Sequence, residues 1–192
     1  MSFLDARTHE APQGFGKSVR RREDARLVAG EGRFTDDVNL PGQAHACVVR
    51  SPHAHARIVH IDVGGALARP GVIAVLTGGD AEADGLRPIP HRPVSVNPHE
   101  VPLRSRDGAE LFIAPHPALA TDTVRFVGEG VALVVAETRA AAEDAAEGVT
   151  VEYAALPAVA EARDALAADA PLVWTEHGTN VCVDAHAGDA AA

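Results

Sequence analysis

Apolar positions fall into short runs separated by turn residues, and these runs predict the elements. Residues 44–50 end in the β-branched pair Val48 and Val49, and Ser51-Pro52 breaks the run. Residues 57–62, with Ile58, Val59 and Ile61 apolar, read as a second strand. Asp62 can cap a short helix to about residue 69, where Pro70-Gly71 stops it. Residues 72–76 form a compact apolar run bounded by turn residues, which predicts a buried strand. Thr77 and Asp80 have the spacing of a capping box that opens a helical turn.

A second series begins at Thr123. Residues 124–127 and 131–137 read as two strands of a hairpin separated by Gly128-Glu129-Gly130. Val124, Phe126, Val131, Leu133 and Val135 alternate and are expected on its buried face, so that Phe126→Ala should cost about 3–5 kcal/mol. Thr138 can cap an Ala-rich helix to about Glu147, with Gly148 suited to the left-handed position after it. Residues 149–153 follow as a strand, and residues 159–167 as a last short helix. Both series read strand, capped helix, Gly-Val, strand, which predicts β–α–β units in mixed α/β layers around one core.

Between these series the pattern is lost. Residues 84–117 hold seven of the thirteen prolines, and such a stretch cannot be a central strand. Residues 1–26 are polar and without period, as expected of an extended N-terminal arm ordered by docking on another body. After Pro171 the chain is again irregular, with Trp174 its only tryptophan. The expected organisation is an arm over 1–26, a domain over 27–170 with a proline-rich loop over 84–117, and a linker over 171–192.

Composition narrows the chemistry. Aromatics are 4% of residues, so the core must be built from Val, Ala, Leu and Ile. The net charge of −10 argues against a nucleic-acid binder, and Glu23 and Asp24 offset the one basic cluster, Arg20-Arg21-Arg22. No apolar run is long enough to span a membrane, so a cytoplasmic protein with no membrane partner is expected. Cys47 and Cys182 form no CxxC pair and are expected as two separate buried thiols.

Three groups of residues invite a functional reading. His53, His55 and His60 lie close together with Asp62 near, but metal ions need three or four ligands, and hydrogen-bonded structural histidines are the better expectation. Gly128-Glu129-Gly130 could suggest a phosphate cradle, yet strand-like residues follow it where a nucleotide site needs a helix N-terminus. Asp36-Asp37 is more consistent with a tightened turn than with paired catalytic carboxylates. No nucleophile elbow or P-loop is present. The residues alone therefore nominate no catalytic, cofactor-binding or metal-binding side chain.

An ordered series of motifs goes further. Arg22-Glu23-Asp24 with Leu27, Gly30 and Gly32 is followed by Phe34-Thr35-Asp36-Asp37 and Leu40-Pro41-Gly42. Next come Arg50-Ser51-Pro52-His53-Ala54-His55-Ala56-Arg57-Ile58, Pro70-Gly71-Val72, and Thr77 through Asp80. His116-Pro117, Leu119-Ala120, Val124-Arg125-Phe126-Val127-Gly128-Glu129 and Val131-Ala132 continue the series, and Leu156-Pro157-Ala158-Val159 ends it. Over residues 20–189 the chain resembles the N-terminal α/β-hammerhead region of molybdenum hydroxylase large subunits, the family of xanthine dehydrogenase, aldehyde oxidase and aerobic carbon monoxide dehydrogenase. The pattern departs at Gly130, where the family usually has proline, and a looser loop is expected there.

The resemblance implies an α+β, mixed-sheet hammerhead fold and part of an oxidoreductase acting on aldehydes, N-heterocycles or carbon monoxide. It implies a scaffolding role, with catalysis in a downstream molybdopterin-binding region or subunit and no cofactor in this chain. The complete enzyme would carry a molybdopterin cytosine dinucleotide-type molybdenum cofactor, with 2Fe-2S and FAD on an iron–sulfur subunit and a flavin subunit. A stand-alone, non-catalytic binding module with the same fold is the alternative.

Overall fold

The computed structural model describes residues 21–90, 105–106, 108 and 111–185. Most of the expected arm, residues 91–104 of the proline-rich stretch and the end of the expected linker, with Gly188-Asp189, lie outside the described residues. The chain divides into two compact units, Met1–Pro41 and Gly42–Ala192.

In the first unit a five-residue helix, α1 (Asp24–Val28), carries Asp24 in its first turn and Arg26 in its last. Both charges complement the helix dipole. The carboxylate of Asp37 accepts the Phe34 N–H at 2.8 Å and closes a single 3-10 turn over Thr35–Asp37. That is the turn-tightening role expected of this acidic pair.

Among the described residues the second unit contains six strands in two antiparallel sheets. They are β1 (His45–Arg50), β2 (Ala56–Asp62), β3 (Val72–Thr77), β4 (Thr123–Val124), β5 (Gly130–Ala136) and β6 (Thr150–Ala155). One sheet has the order β1-β5-β3 and the other β4-β2-β6. Helices α2 (Gly64–Leu67), α3 (Gly78–Ala83) and α4 (Arg139–Ala146) complete the unit. The α/β class is as expected, with the mixed sheet taking the form of two antiparallel ones. Each β–α–β unit leaves one sheet and enters the other: β2–α2–β3 passes in one direction and β5–α4–β6 in the other.

The caps explain where the helices start. Thr77 and Asp80 form the expected box, with Thr77 N–H donating to Asp80 Oδ2 at 2.7 Å and Asp80 N–H to Thr77 Oγ1 at 3.4 Å. Thr138 Oγ1 accepts the Ala141 N–H at 3.1 Å and starts α4. Asp62 accepts the Gly64 N–H at 2.8 Å and turns the chain into α2, which is shorter than predicted.

Burial in β5 shows two packed layers. Val131 joins Ala56, Ala120 and Val124 in a core flanked by Val49, Ile58, Val151 and Tyr153, and so lies against the second sheet. Ala132, Val134 and Ala136 alternate along β5, are fully buried and lie outside that cluster. Their cover is α4, which packs on β1 and β5 and buries Ala142 and Ala145. The buried side chains are small, so backbones approach closely. A Cβ on Gly148 would lie 2.9 Å from Gly65 C and from Ala66 N, and one on Gly65 would lie 2.7 Å from Gly148 O. The expected left-handed role of Gly148 is therefore corrected: no positive φ is found there, and glycine is required for contact with α2.

Four further expectations are corrected. The predicted hairpin does not pair, because β4 is two residues long and bonds to β2, while β5 lies between β1 and β3. Phe126, placed in the core by alternation, is 49% exposed because the strand ends before it. The apolar run of β3 forms an edge strand with Ile73 58% exposed, and residues 159–167 contain only a 3-10 turn, Asp164–Leu166.

Candidate functional site

The most chemically varied region is built around the turn from β4 to β5. The turn is tied on both sides. Gly128 N–H donates to Ser51 O at 2.8 Å, Ser51 N–H to Glu129 O at 2.9 Å, and Arg50 Nη1 to Gly128 O at 2.8 Å. Gly128 has φ +91°, which glycine adopts without strain. The looser loop expected from Gly130 is thus not found. Glu129, only 7% exposed, turns its carboxylate inward to accept the Arg125 N–H. That bond serves a backbone group which has left the β4 ladder.

Arg125 connects this turn to the irregular segment beyond Pro171. Its guanidinium lies 3.7 Å from the centre of the Trp174 ring, and Nη1 donates to Thr123 O at 3.1 Å. Its Nε is buried and has no acceptor among the described residues. Phe112 stacks on His177 with centroids 3.9 Å apart and 9° between planes, and meets Trp174 edge-on at 6.1 Å. A cavity of about 230 Å³ opens here, lined by Ala114, Pro115, His116, Arg125, Phe126, Glu129, Val173 and Trp174.

Val173 and Trp174 also wall a neighbouring cavity of about 290 Å³, which reaches residues 159–162, Ala165, Asn180 and Cys182. Asn180 fixes this second wall. Its Oδ1 accepts the Val173 N–H at 3.0 Å, and its Nδ2 donates to Ala165 O at 3.2 Å and Pro171 O at 2.9 Å. The side chain thereby replaces the backbone pairing this segment lacks. His177 Nε2 lies 3.0 Å from Val181 O.

The histidines singled out from sequence are engaged separately. His53 packs on Tyr153 at 4.7 Å between ring centroids, His55 Nδ1 lies 2.9 Å from Pro157 O, and His60 is exposed on β2. With Asp62 committed to Gly64 N–H, they do not converge. Among the described residues no three His, Cys, Asp or Glu side chains are placed to hold a metal ion. Cys47 and Cys182 are free thiols, and the expected burial of both is corrected, since Cys47 is half-buried and Cys182 exposed.

These residues do not fit a dinucleotide-bearing cofactor. The Gly128–Glu129–Gly130 turn opens β5 and not a helix, and the N–H groups of Gly128 and Glu129 are already bonded to Ser51 O and Phe126 O. No pyrophosphate cradle is formed there. Sequence reasoning missed the group of Arg125, Trp174, Phe112, His177 and Asn180. The only signal for it was a lone tryptophan in a stretch without period.

No helix among the described residues is long and apolar enough to cross a membrane. The profile of the aldehyde oxidase and xanthine dehydrogenase a/b hammerhead domain matches residues 29–157. The chain is 43% identical over 153 residues to the nicotine 6-hydroxylase large subunit of Paenarthrobacter nicotinovorans, covering 79% of this chain and 17% of that protein. It is 39% identical over 170 residues to the carbon monoxide dehydrogenase large chain of Hydrogenophaga pseudoflava, covering 88% and 19%. Among solved structures, quinoline 2-oxidoreductase from Pseudomonas putida 86 superposes with a TM-score of 0.62 at 45% identity, over 79% of this chain and 17% of that one. A Cu,Mo-CO dehydrogenase gives a TM-score of 0.64 at 36% identity, over 93% and 20%. The chain spans less than a fifth of the length of both curated relatives. It belongs to the hammerhead-domain family of the molybdenum hydroxylase large subunits.

Proposed function

We propose that this chain is the hammerhead scaffold of a molybdenum-dependent hydroxylase or dehydrogenase large subunit, with catalysis carried by a downstream molybdopterin-binding region. The observation that carries this reading is the continuous likeness to such large subunits, at 39–43% identity over 79–88% of this chain but under a fifth of theirs. The complete cytoplasmic enzyme oxidises an aldehyde, an N-heterocycle or carbon monoxide with oxygen from water. Its cofactor is of the molybdopterin cytosine dinucleotide type, and 2Fe-2S and FAD partner subunits take the electrons onward. The domain over 27–170 holds its place with the arm over 1–26 and the linker over 171–192, and the arm and proline-rich loop dock on the rest of the assembly.

The local chemistry supports a positioning role. The buried carboxylate of Glu129 and the half-buried amide of Asn180 are spent on backbone N–H and C=O groups and set the shape of the turn and the segment beyond it. The test is co-expression with the downstream region and the iron–sulfur and flavin partners. We expect stoichiometric molybdenum in the complex and none in the chain alone. Molybdenum bound by the isolated chain would overturn the scaffold reading, and failure to associate would leave a stand-alone binding module.

A further inference from the structure

We infer that the apolar rim around Arg125, formed by Phe126, Val127, Ile113 and Pro115, is a docking surface for the remainder of the large subunit. The partner fills the 230 Å³ cavity with an apolar side chain and brings a carbonyl or carboxylate oxygen to Arg125 Nε. This rests on the function proposed above.

Three observations meet here. Phe126 is 49%, Val127 64% and Ile113 41% exposed, although Phe126 and Val127 sit on a turn locked by four hydrogen bonds through Ser51, Arg50, Gly128 and Glu129. A rigid turn that presents bare Phe-Val is already organised for association, with little ordering left to lose. The cavity beneath it has an aromatic and aliphatic wall of Pro115, Phe126, Val173 and Trp174, with a guanidinium and a buried carboxylate at its base. Aromatic side chains and arginine in a desolvated pocket are the usual anatomy of an interface hot spot.

The second observation is the orphan donor. Arg125 Nε is buried with no acceptor among the described residues, whereas the backbone N–H of the same residue and its Nη1 are bonded. A buried unpaired donor on a charged group is costly, and an incoming oxygen removes the cost. The third concerns what is joined to this domain: in the relatives the matched segment is 17–19% of one polypeptide, so a body several times larger shares its chain and is available to cover the rim.

The test is a titration of this chain with the downstream molybdopterin-binding region expressed as a separate polypeptide, read by calorimetry and hydrogen exchange. The variant Phe126→Ser/Val127→Ser should bind roughly 30-fold more weakly, and Arg125→Lys, which keeps the charge but loses the Nε donor, about 10-fold. Val59→Ser, at an exposed position on β2, should bind as wild type. Amides over 125–130 should gain protection on binding in wild type and Val59→Ser, and much less in the double variant. Thermal melts of each variant establish that it is folded, as expected for the exposed Phe126, Val127 and Val59 and for the conservative change at Arg125. A wild-type chain that binds while the double variant loses less than about tenfold overturns this inference and leaves the scaffold reading intact. A wild-type chain that does not bind overturns both.

Discussion

Between residues 45 and 155 the sheets are held by small apolar side chains, whereas residues 171–181 are held by a few directed contacts. Across that span Ala and Val supply ten of the eleven buried hydrophobic residues among the described ones, and α2 approaches the end of α4 closely enough that only glycine fits at positions 65 and 148. In the later segment regular structure shrinks to a 3-10 turn, Thr175–His177. Its place is set by the Asn180 amide, by the Phe112–His177 stack and by Arg125 over Trp174. Close packing has no spare volume, so it fails when atoms are added. A segment held by directed bonds fails when one side chain is removed.

The largest effect is therefore expected from filling the glycine contact. Gly148→Val should destabilise the chain by about 3 kcal/mol, because the atoms it meets are backbone and cannot swing away. Denaturant titration checks this, and a loss under about 1 kcal/mol would show that α2 and α4 can part without penalty. Next, Asn180→Ala removes one acceptor and two donors at a half-buried site and should cost about 2 kcal/mol. Hydrogen exchange must locate that loss in residues 165–181 while β5 keeps its protection. Uniform loss across both regions would mean that they are one cooperative unit.

The same contrast explains what could be read from the sequence. The strands and caps were legible because period, Thr or Asp caps and turn residues are local signals: Thr77 with Asp80, and Thr138 before α4, formed as read. Pairing was not legible. The alternation over 124–135 suggested a hairpin, but whether β4 bonds to β5 or to β2 is decided by tertiary packing. Gly148 was read for its freedom of φ when the structure needs its lack of a side chain. The Arg125 and Trp174 site was invisible for another reason. Its members lie up to 68 positions apart, from Phe112 to Asn180, and carry no spacing rule.

A smaller effect tests the corrected place of Phe126. Half-exposed on the rim, it gives up little buried area on truncation, so Phe126→Ala should cost no more than about 1 kcal/mol in the isolated chain. That is well below the value expected of a core position. A loss near 3 kcal/mol would return Phe126 to the core and with it the hairpin.

The smallest effect concerns the cap of α3, on the edge strand of the regular region. The Asp80 carboxyl is held below its ordinary value of 3.8, first by the hydrogen bond from the Thr77 hydroxyl and then by that from the Thr77 backbone N–H. Both bonds favour the ionised form. A folded-state value below the unfolded one means that the cap's contribution is fully present above the unfolded value and is lost as pH falls through the folded one. The dependence should therefore appear only in the acid range, below about pH 4. Because Asp80 is fully exposed, solvent screens the effect, and other carboxylates titrate in the same range. The measurement is thus a difference between chains: melting temperatures of wild type, Asp80→Asn and Thr77→Val compared from about pH 6 to about pH 2.5. Wild type should lose slightly more stability on acidification than either variant, since Asp80→Asn has no charge to titrate and Thr77→Val has lost the hydroxyl bond to the carboxylate while keeping the backbone one. Parallel curves for all three chains would show that the Thr77–Asp80 box shapes the turn without a preference for the ionised carboxylate.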